Sequence, residues 1–180
     1  MTGTSSRRIP EAYRAARGLS GDVLRVLQKK GNATIGTINP DGTVHMAPVW
    51  FLFDESGLIY FECNSATRKA RNIEANRTGS VLVKGKAVDG SGMVVLGQGT
   101  ARIIKGDMAR VICARIREKY LTASGIDPVS AYLDSIDDAV AELSPVSWVG
   151  WNSQIINDSL HALAQNVGRN FDEWLLPDCD

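Results

Sequence analysis

The 180-residue chain is poor in the residues that build metal centres and disulfide frameworks. Its three cysteines, Cys63, Cys113 and Cys179, are scattered and form no CxxC pair. Its two histidines, His45 and His161, lie too far apart for a recognisable metal motif, and neither GxSxG nor HExxH occurs. We therefore expect free thiols, no disulfide framework and no metal site. Any chemistry should depend on a bound cofactor.

Net charge and long apolar runs are also absent. Twenty Lys and Arg residues balance twenty Asp and Glu residues, so no global field attracts nucleic acid or an anionic membrane. No apolar run approaches the length of a membrane span, and the basic N-terminus has no apolar signal core behind it. We expect a cytoplasmic protein that binds neither nucleic acid nor membrane, and any anion site must be local.

The ends of the chain have helical patterns. A helix is expected from Pro10 towards Gly18, and a second, capped by Ser20 or Asp22, should end at Gly31. Further helical segments are predicted at 155–167 and 171–175. The chain length suits one domain with attached helices. We expect an N-terminal helical lead-in (1–32), a cofactor-binding domain (33–151) and a C-terminal helical tail (152–180).

The middle of the chain is rich in β-branched residues separated by short turns, which predicts six strands. Their ranges are 33–39, 43–53, 58–62, 80–84, 93–104 and 140–146. Short connections favour an antiparallel meander or barrel over a doubly wound parallel sheet. Helices are expected at 67–76 and, capped by Asp107, at 107–120, while Gly125–Pro128 should be a loop before a short helix at 129–133.

The strand at 43–53 is largely apolar on both faces. A solvated antiparallel strand should alternate apolar with polar residues. We therefore expect this strand to be covered by the barrel interior on one side and by a ligand or partner subunit on the other. Pro48 cannot donate to a strand ladder, which places it at an edge, a bulge or a point where pairing opens.

Three basic residues, Arg68, Lys69 and Arg71, lie close to the predicted start of a helix. A helix start has backbone N–H groups without intrahelical partners, so it favours negative charge and could bind a phosphate. Taken alone, these residues are more typical of a solvated helix face than of a binding site, because most basic residues are exposed. The two tryptophans near the last strand, Trp148 and Trp151, either close a core or line a ligand pocket.

Six motifs follow one another along the chain: GTVHMAPVWF (42–51), GLIYF (57–61), TRKARNIEAN (67–76), VLGQGTA (95–101), KY (119–120) and SPVSW (144–148). This ordered set resembles the pyridoxamine 5'-phosphate oxidase-like, FMN-binding split β-barrel superfamily, which includes flavin- and deazaflavin-dependent oxidoreductases. The resemblance implies a mainly β fold with flanking helices, built on a six-stranded antiparallel split β-barrel. It also implies a homodimer that holds two cofactors at the subunit interface.

The resemblance further implies which residues bind the cofactor. One strand runs along the cofactor ring, the end of the next lies near the ribityl chain, and the following helix start binds the terminal phosphate. A polar residue and an aromatic residue on later strands complete the site. In this order the residues are His45, Met46, Ala47, Pro48, Val49 and Trp50; Phe61 and Glu62; Thr67, Arg68 and Lys69; Gln98; and Trp148.

These implications predict a flavin-dependent oxidoreductase that transfers hydride between bound FMN and a small organic substrate, with no catalytic acid or base required. His45 is expected to be a hydrogen-bonded strand residue rather than a proton donor. The tail offers only His161 and Arg169 for a substrate phosphate, so vitamin B6 oxidation is not expected.

Three alternatives remain open. An F420-dependent reductase of the same fold would need further basic surface, with Arg71, Arg77, Lys84 and Lys86 as candidates. The Thr67-Arg68-Lys69 sequence is closer to FMN-binding oxidases. A haem-binding protein would need an axial ligand, for which only the two histidines could serve. The third alternative is a non-enzymatic FMN carrier or sensor.

Overall fold

The computed structural model describes residues 10–11 and 15–175, which form a mainly β domain with flanking helices. The strands are β1 (Ala16–Arg17), β2 (Ala33–Ile38), β3 (Val44–Val49), β4 (Leu52–Phe53), β5 (Ile59–Cys63), β6 (Thr78–Lys86), β7 (Gly92–Lys105) and β8 (Ala139–Asn152). The helices are α1 (Gly21–Gln28), α2 (Arg68–Asn76), α3 (Asp107–Tyr120), α4 (Ala123–Leu133) and α5 (Gln154–Asn166), with a short 3-10 helix at Phe171–Trp174.

The strands form one antiparallel sheet in the order β3-β2-β6-β7-β8-β5-β4, with β1 paired to β8. The sheet curls into a split barrel, which confirms the predicted fold class. Its two end strands, β3 and β4, are consecutive in the chain and are joined only by Trp50 and Phe51. This two-residue crossover therefore spans the split in the barrel.

The described residues form eight strands where the sequence predicted six. The predicted strand at 43–53 is divided into β3 and β4 by the crossover, and the short β1 was expected to be helical. Ala16 and Arg17 pair with Gly150 and Val149 of β8, so tertiary pairing determines their conformation. Residues 12–14 of the predicted first helix lie outside the described part of the chain.

The barrel interior contains the hydrophobic core, and α1 closes one side of it. Ser20 caps α1 as predicted, because its Oγ accepts a hydrogen bond from the Val23 amide at 3.4 Å. The apolar face of α1 buries Val23, Val26 and Leu27. The largest fully buried side chains include Phe51 of the crossover and Phe61 of β5.

Helix α4 corrects the prediction of a loop at Gly125–Pro128. The helix begins at Ala123 and includes Pro128. The Thr122 carbonyl accepts hydrogen bonds from the amides of Gly125 and Ile126, at 2.9 and 3.2 Å. The helix is therefore established before the proline, which removes only one further backbone donor. Asp107 is likewise the first residue of α3, not its cap, since Gly106 holds the cap position.

Strand β3 lies at one end of the sheet order, which confirms the edge position predicted for Pro48. The face with His45, Ala47 and Val49 is half-buried. On the other face, Val44 and Met46 are each 62% exposed. A covering of this second face by a ligand or partner therefore stays a prediction.

Candidate functional site

A cleft of about 500 Å³ opens beside the barrel crossover. One rim is formed by Asn32, Ala33 and Thr34, at the start of β2. The remaining lining residues come from the end of β3 and the crossover, from β5, from α2, and from α4 with the segment after it. They are Pro48, Val49, Trp50, Glu62, Lys69, Val129, Leu133 and Asp137.

The start of α2 reaches this cleft through Lys69, which is half-buried, while the neighbouring Arg68 is exposed. No side chain caps the helix among the described residues. The Thr67 hydroxyl instead donates to the Asn64 carbonyl at 2.7 Å. The first-turn N–H groups therefore keep the capacity to bind an anion next to two basic side chains.

A buried asparagine fixes the position of α2 against the sheet. The Asn72 side-chain amide donates to the Thr37 hydroxyl at 3.0 Å and to the Asn39 side-chain carbonyl at 2.9 Å. Asn72 and Thr37 are almost completely buried, at 3% and 0% exposure. Because both groups are paired, this contact orients the helix without an unsatisfied polar atom.

The turn before α2 is held from the other side by Asp138. The Ser65 amide and the Ser65 hydroxyl each donate to this carboxylate at 2.6 Å. These hydrogen bonds, led by the one from the hydroxyl, lower the pKa of Asp138. The segment that positions the α2 start is thus fixed both to β2 and to the residue before β8.

Glu62 lines the cleft, but its carboxylate is paired with Arg117 of α3. The Arg117 Nε lies 3.1 Å from Glu62 Oε1, and its Nη1 donates to Asp134 at 2.8 Å. The Glu62 and Arg117 side chains are only 6% and 4% exposed. The negative charge of Glu62 is therefore compensated within the chain.

Asp137 lies at the cleft with Lys69 and Glu62 as charged neighbours. Burial and the Glu62 charge raise the pKa of Asp137, and Lys69 opposes this increase. Burial and the Glu62 charge thus disfavour a further negative charge beside Asp137, so an anionic group in the cleft should lie at the Lys69 side instead.

The crossover supplies an aromatic wall. The Trp50 ring stacks on the Tyr120 ring with centroids 4.9 Å apart and planes inclined by 7°. Trp50 remains 37% exposed, whereas Phe51 is fully buried. The cleft therefore combines a flat apolar wall with a basic helix start, which suits a ligand with a planar ring and an anionic end.

The structure brings Pro48, Val49, Trp50, Glu62 and Lys69 together in this cleft. The other predicted residues of this group lie on or beneath the same elements: His45, Met46 and Ala47 lie further along β3, Thr67 and Arg68 at the α2 start, and Phe61 in the core.

Gln98 and Trp148 lie on β7 and β8, two strands that contribute no residue to the cleft lining. Gln98 is exposed and opposite Ser147 in the strand register. Trp148 is 7% exposed, its ring is 5.9 Å from that of Phe53, and it lies over Gly97. The packing of Trp148 against the strand explains its separation from the cleft.

Sequence reasoning missed part of the lining, namely residues 32–34, Val129, Leu133 and Asp137. Val129 and Leu133 belong to α4, whose full length was not predicted. Residues 32–34 were assigned to a turn and a strand start, and no local pattern indicates that they face Pro48. Only the pairing of β2 with β3 places them there.

Cys63 and Cys113 are free and buried. Burial raises the pKa of Cys63 to about 11 and that of Cys113 to about 12, so both thiols are protonated at neutral pH. Cys179 lies outside the described residues.

Within residues 10–11 and 15–175, no group of three or more His, Cys, Asp or Glu side chains is arranged to hold a metal ion. No helix in the same part of the chain is both long and apolar enough to cross a membrane.

Comparison with known proteins identifies a family match. The family model described as pyridoxamine 5'-phosphate oxidase matches residues 19–152, which is most of the chain. This range includes every strand from β2 to β8 and every residue that lines the cleft. No curated protein matches the sequence significantly.

Solved structures share the fold at low sequence identity. A conserved hypothetical protein from Mycobacterium tuberculosis is 19% identical with a TM-score of 0.62, over 78% of this chain and 89% of that one. An F420 reductase is 20% identical with a TM-score of 0.52, over 73% and 98% of the two chains. The haem storage protein of Vibrio cholerae is 15% identical with a TM-score of 0.53, over 68% and 87%.

Proposed function

The chain belongs to the pyridoxamine 5'-phosphate oxidase family, and from this premise we propose that it is an oxidoreductase that binds FMN in the cleft beside the crossover. The observation that carries this proposal is the meeting of two features in one cleft. These are the uncapped start of α2 with Lys69, and the apolar stretch Pro48–Trp50. An anion site and a flat apolar wall are the two requirements of a flavin mononucleotide.

The residues present fit the phosphate end of this cofactor. Arg68 offers a guanidinium fork, Lys69 offers an ammonium inside the cleft, and the first-turn amides of α2 point outwards from the helix start. The Glu62 carboxylate would repel a phosphate, but Arg117 compensates its charge. Binding of a phosphate would therefore depend on Arg68, Lys69 and the α2 amides rather than on the net charge of the cleft, which also contains Asp137.

The residues at the end of β3 fit the ring end. Pro48, Val49 and Trp50 would exclude water from one side of the isoalloxazine and hold it in a fixed orientation. When bound, FMN supplies hydride transfer at N5 to or from a small organic substrate. The protein would contribute placement and a dry surface, and no side chain of the cleft is assigned as a catalytic acid or base.

We also propose that the working unit is a homodimer. Val44 and Met46 on β3 are each 62% exposed and Val146 on β8 is 85% exposed, which is unfavourable for apolar side chains in water. Gln98 lies outside the cleft of its own chain, so a contact from Gln98 to the cofactor would come from the second copy. Sedimentation of the wild type and of Met46→Glu tests this, because a charge on this face should favour the monomer.

Haem binding has less support among the described residues. Neither histidine lines the cleft, and the His161 ring packs against Phe171 with centroids 5.3 Å apart. F420 remains the alternative within the same fold, with the exposed Arg71, Arg77, Lys84 and Lys86 as the added basic surface.

The deciding experiment is a titration of the purified protein with FMN, F420 and haem, followed by absorption and fluorescence. The fluorescence of FMN should be quenched on binding, and the titration should show one FMN bound per chain. If the protein bound F420 tightly and did not bind FMN, the cofactor would be F420. If it bound none of the three, the proposal would be overturned. Anaerobic reduction by NAD(P)H and reoxidation by a panel of small electron acceptors then separates an enzyme from a carrier.

A further inference from the structure

One tyrosine hydroxyl connects the two rims of the cleft. Tyr120, the last residue of α3, is 8% exposed. Its hydroxyl donates to the Gly31 carbonyl at 2.8 Å and accepts from the Phe51 amide at 3.2 Å. Gly31 directly precedes the rim formed by residues 32–34, and Phe51 directly follows the rim formed by residues 48–50.

The Tyr120 ring also supports the wall of the cleft. It stacks against Trp50, as described above, and contacts Phe51 edge-to-face with centroids 6.5 Å apart. The crossover has no strand partner at these two residues, because β3 ends at Val49 and β4 begins at Leu52. The crossover is therefore held by Tyr120, through one hydrogen bond and two ring contacts, rather than by hydrogen bonds to a neighbouring strand.

Two lysines fix the position of Tyr120, because each lies at the end of one helix and donates a hydrogen bond to a carbonyl at the C-terminal end of the other. The Lys119 Nζ donates to the Leu27 carbonyl at 3.2 Å, near the end of α1. The Lys30 Nζ, just after α1, donates to the Tyr120 carbonyl at 2.9 Å, at the end of α3. Each ammonium thus meets the partial negative charge of the other helix's C-terminus. The Lys119 Nζ also lies 3.6 Å from the Phe51 ring centroid.

We propose that Tyr120 is a positioning residue, whose hydroxyl sets the separation of the two cleft rims and so determines how tightly the cleft holds its cofactor. This inference rests on the proposed function for the identity of the ligand. Tyr120 does not line the cleft and acts only through Gly31, Trp50 and Phe51. Because Tyr120 orders the two rims before the ligand binds, less conformational entropy is lost on binding.

The test compares Tyr120→Phe with the matched control Tyr132→Phe. The first variant keeps the ring stacked on Trp50 and removes only the hydroxyl. The second removes a hydroxyl from a side chain that is 65% exposed on α4. FMN titration should show binding weakened on the order of tenfold in Tyr120→Phe and unchanged in Tyr132→Phe. Binding within twofold of the wild type in both variants would overturn the proposal.

A second measurement does not depend on the cofactor. In the cofactor-free protein, amide exchange by NMR should be faster at Phe51 in Tyr120→Phe, and the amide nitrogen of Asn32 should shift because the Gly31 carbonyl loses its donor. Unchanged signals at both positions would overturn the positioning role. If the wild type binds no cofactor, the proposed function fails, and these two signals still decide whether the hydroxyl positions the rims.

Should Tyr120→Phe not fold, 3-fluorotyrosine placed at position 120 of the otherwise wild-type protein provides the readout. Its fluorine resonance should shift on FMN addition, while that of 3-fluorotyrosine at position 132 should not. A fluorine signal at position 120 that does not respond to bound FMN would contradict coupling between the hydroxyl and the cleft.

Discussion

The cleft side of the barrel and the β7–β8 side are held together by different physical means. On the cleft side, buried polar side chains are paired, as in Asn72 with Thr37 and Glu62 with Arg117. On the β7–β8 side, the region around Trp148 is held by close packing, and the Arg102–Glu142 pair between the two strands has an arginine that is 60% exposed. A Cβ added to Gly97 would lie 2.6 Å from the Trp148 ring. The cleft side should therefore be sensitive to changes of charge, and the β7–β8 side to changes of volume.

The largest expected effect concerns the basic helix start on the cleft side. Arg68→Ala combined with Lys69→Ala should weaken FMN binding by about 3–6 kcal/mol, because each lost charge-assisted contact costs about 1.5–3 kcal/mol. Fluorescence titration measures the change. The control is Lys84→Ala with Lys86→Ala, which removes the same charge from exposed positions on β6. Equal losses in the two double variants would mean that only the overall charge matters.

The buried ion pair is expected to give the next largest effect. Glu62→Gln should lower the free energy of unfolding by about 3 kcal/mol, because Arg117 would keep a buried charge without its main partner. Urea denaturation gives this value. Asp107→Asn is the matched control, since the Asp107–Arg110 pair is 92% and 73% exposed and should contribute less than about 0.5 kcal/mol. Similar values for both variants would remove the distinction between the pairs.

On the β7–β8 side, Gly97→Ala should destabilise the protein by about 2 kcal/mol, because the added methyl group would overlap the Trp148 ring. Thermal and urea unfolding measure the loss. Gly21→Ala serves as the control, since a Cβ there has no heavy atom within 4 Å. If Gly97→Ala were as stable as Gly21→Ala, the packing account of this side would be wrong.

The smallest expected effect is a pH dependence of the free energy of unfolding, caused by Lys119 behind the cleft. Burial lowers the pKa of Lys119 from 10.5 to about 8. Between these values the unfolded chain binds the proton and the folded chain does not, so wild-type stability gains with rising pH. Below about pH 8 the cost of burying the charge is fully present.

The comparison with Lys119→Met isolates this contribution. Relative to the variant, the wild type should gain unfolding free energy between pH 7.5 and 9.5. Over this range the full pKa shift corresponds to about 1.8 kcal/mol, and solvent screening of the partly exposed ammonium reduces the expected gain to about 1 kcal/mol. Other groups that titrate in this range, including the cysteines, are common to both proteins and cancel. A difference that does not change with pH would show that Lys119 titrates normally.

Much of the fold could be predicted because its signals are local. The turn residues and β-branched runs located the strands, and the short connections indicated antiparallel pairing. Ser20 was one of two predicted caps for α1 and is the observed one. The division of the strand at 43–53 was not predictable, because the run from Val49 to Phe53 is uniformly apolar while the break depends on where the barrel splits.

The candidate site was predictable only in part. The basic residues at the start of α2 follow from helix physics, and the apolar strand beside them from its lack of alternation. The roles of Gly31, Arg117 and Tyr120 were not predictable, because they depend on contacts between residues that are distant in the sequence. Arg117 is separated from Glu62 by 55 positions, and Tyr120 from Gly31 by 89.

The sequence by itself determined most of the strands and helices, the absence of a disulfide or zinc motif, and the basic character of the α2 start. Periodicity, turn chemistry and caps act over a few residues, so they can be read from the chain. Only the tertiary structure decided that Lys69 faces Pro48–Trp50 across one cleft, that Arg117 compensates Glu62, and that Gln98 lies elsewhere. These relations arise when the sheet curls and brings β3, β5 and α2 together, which no local pattern encodes.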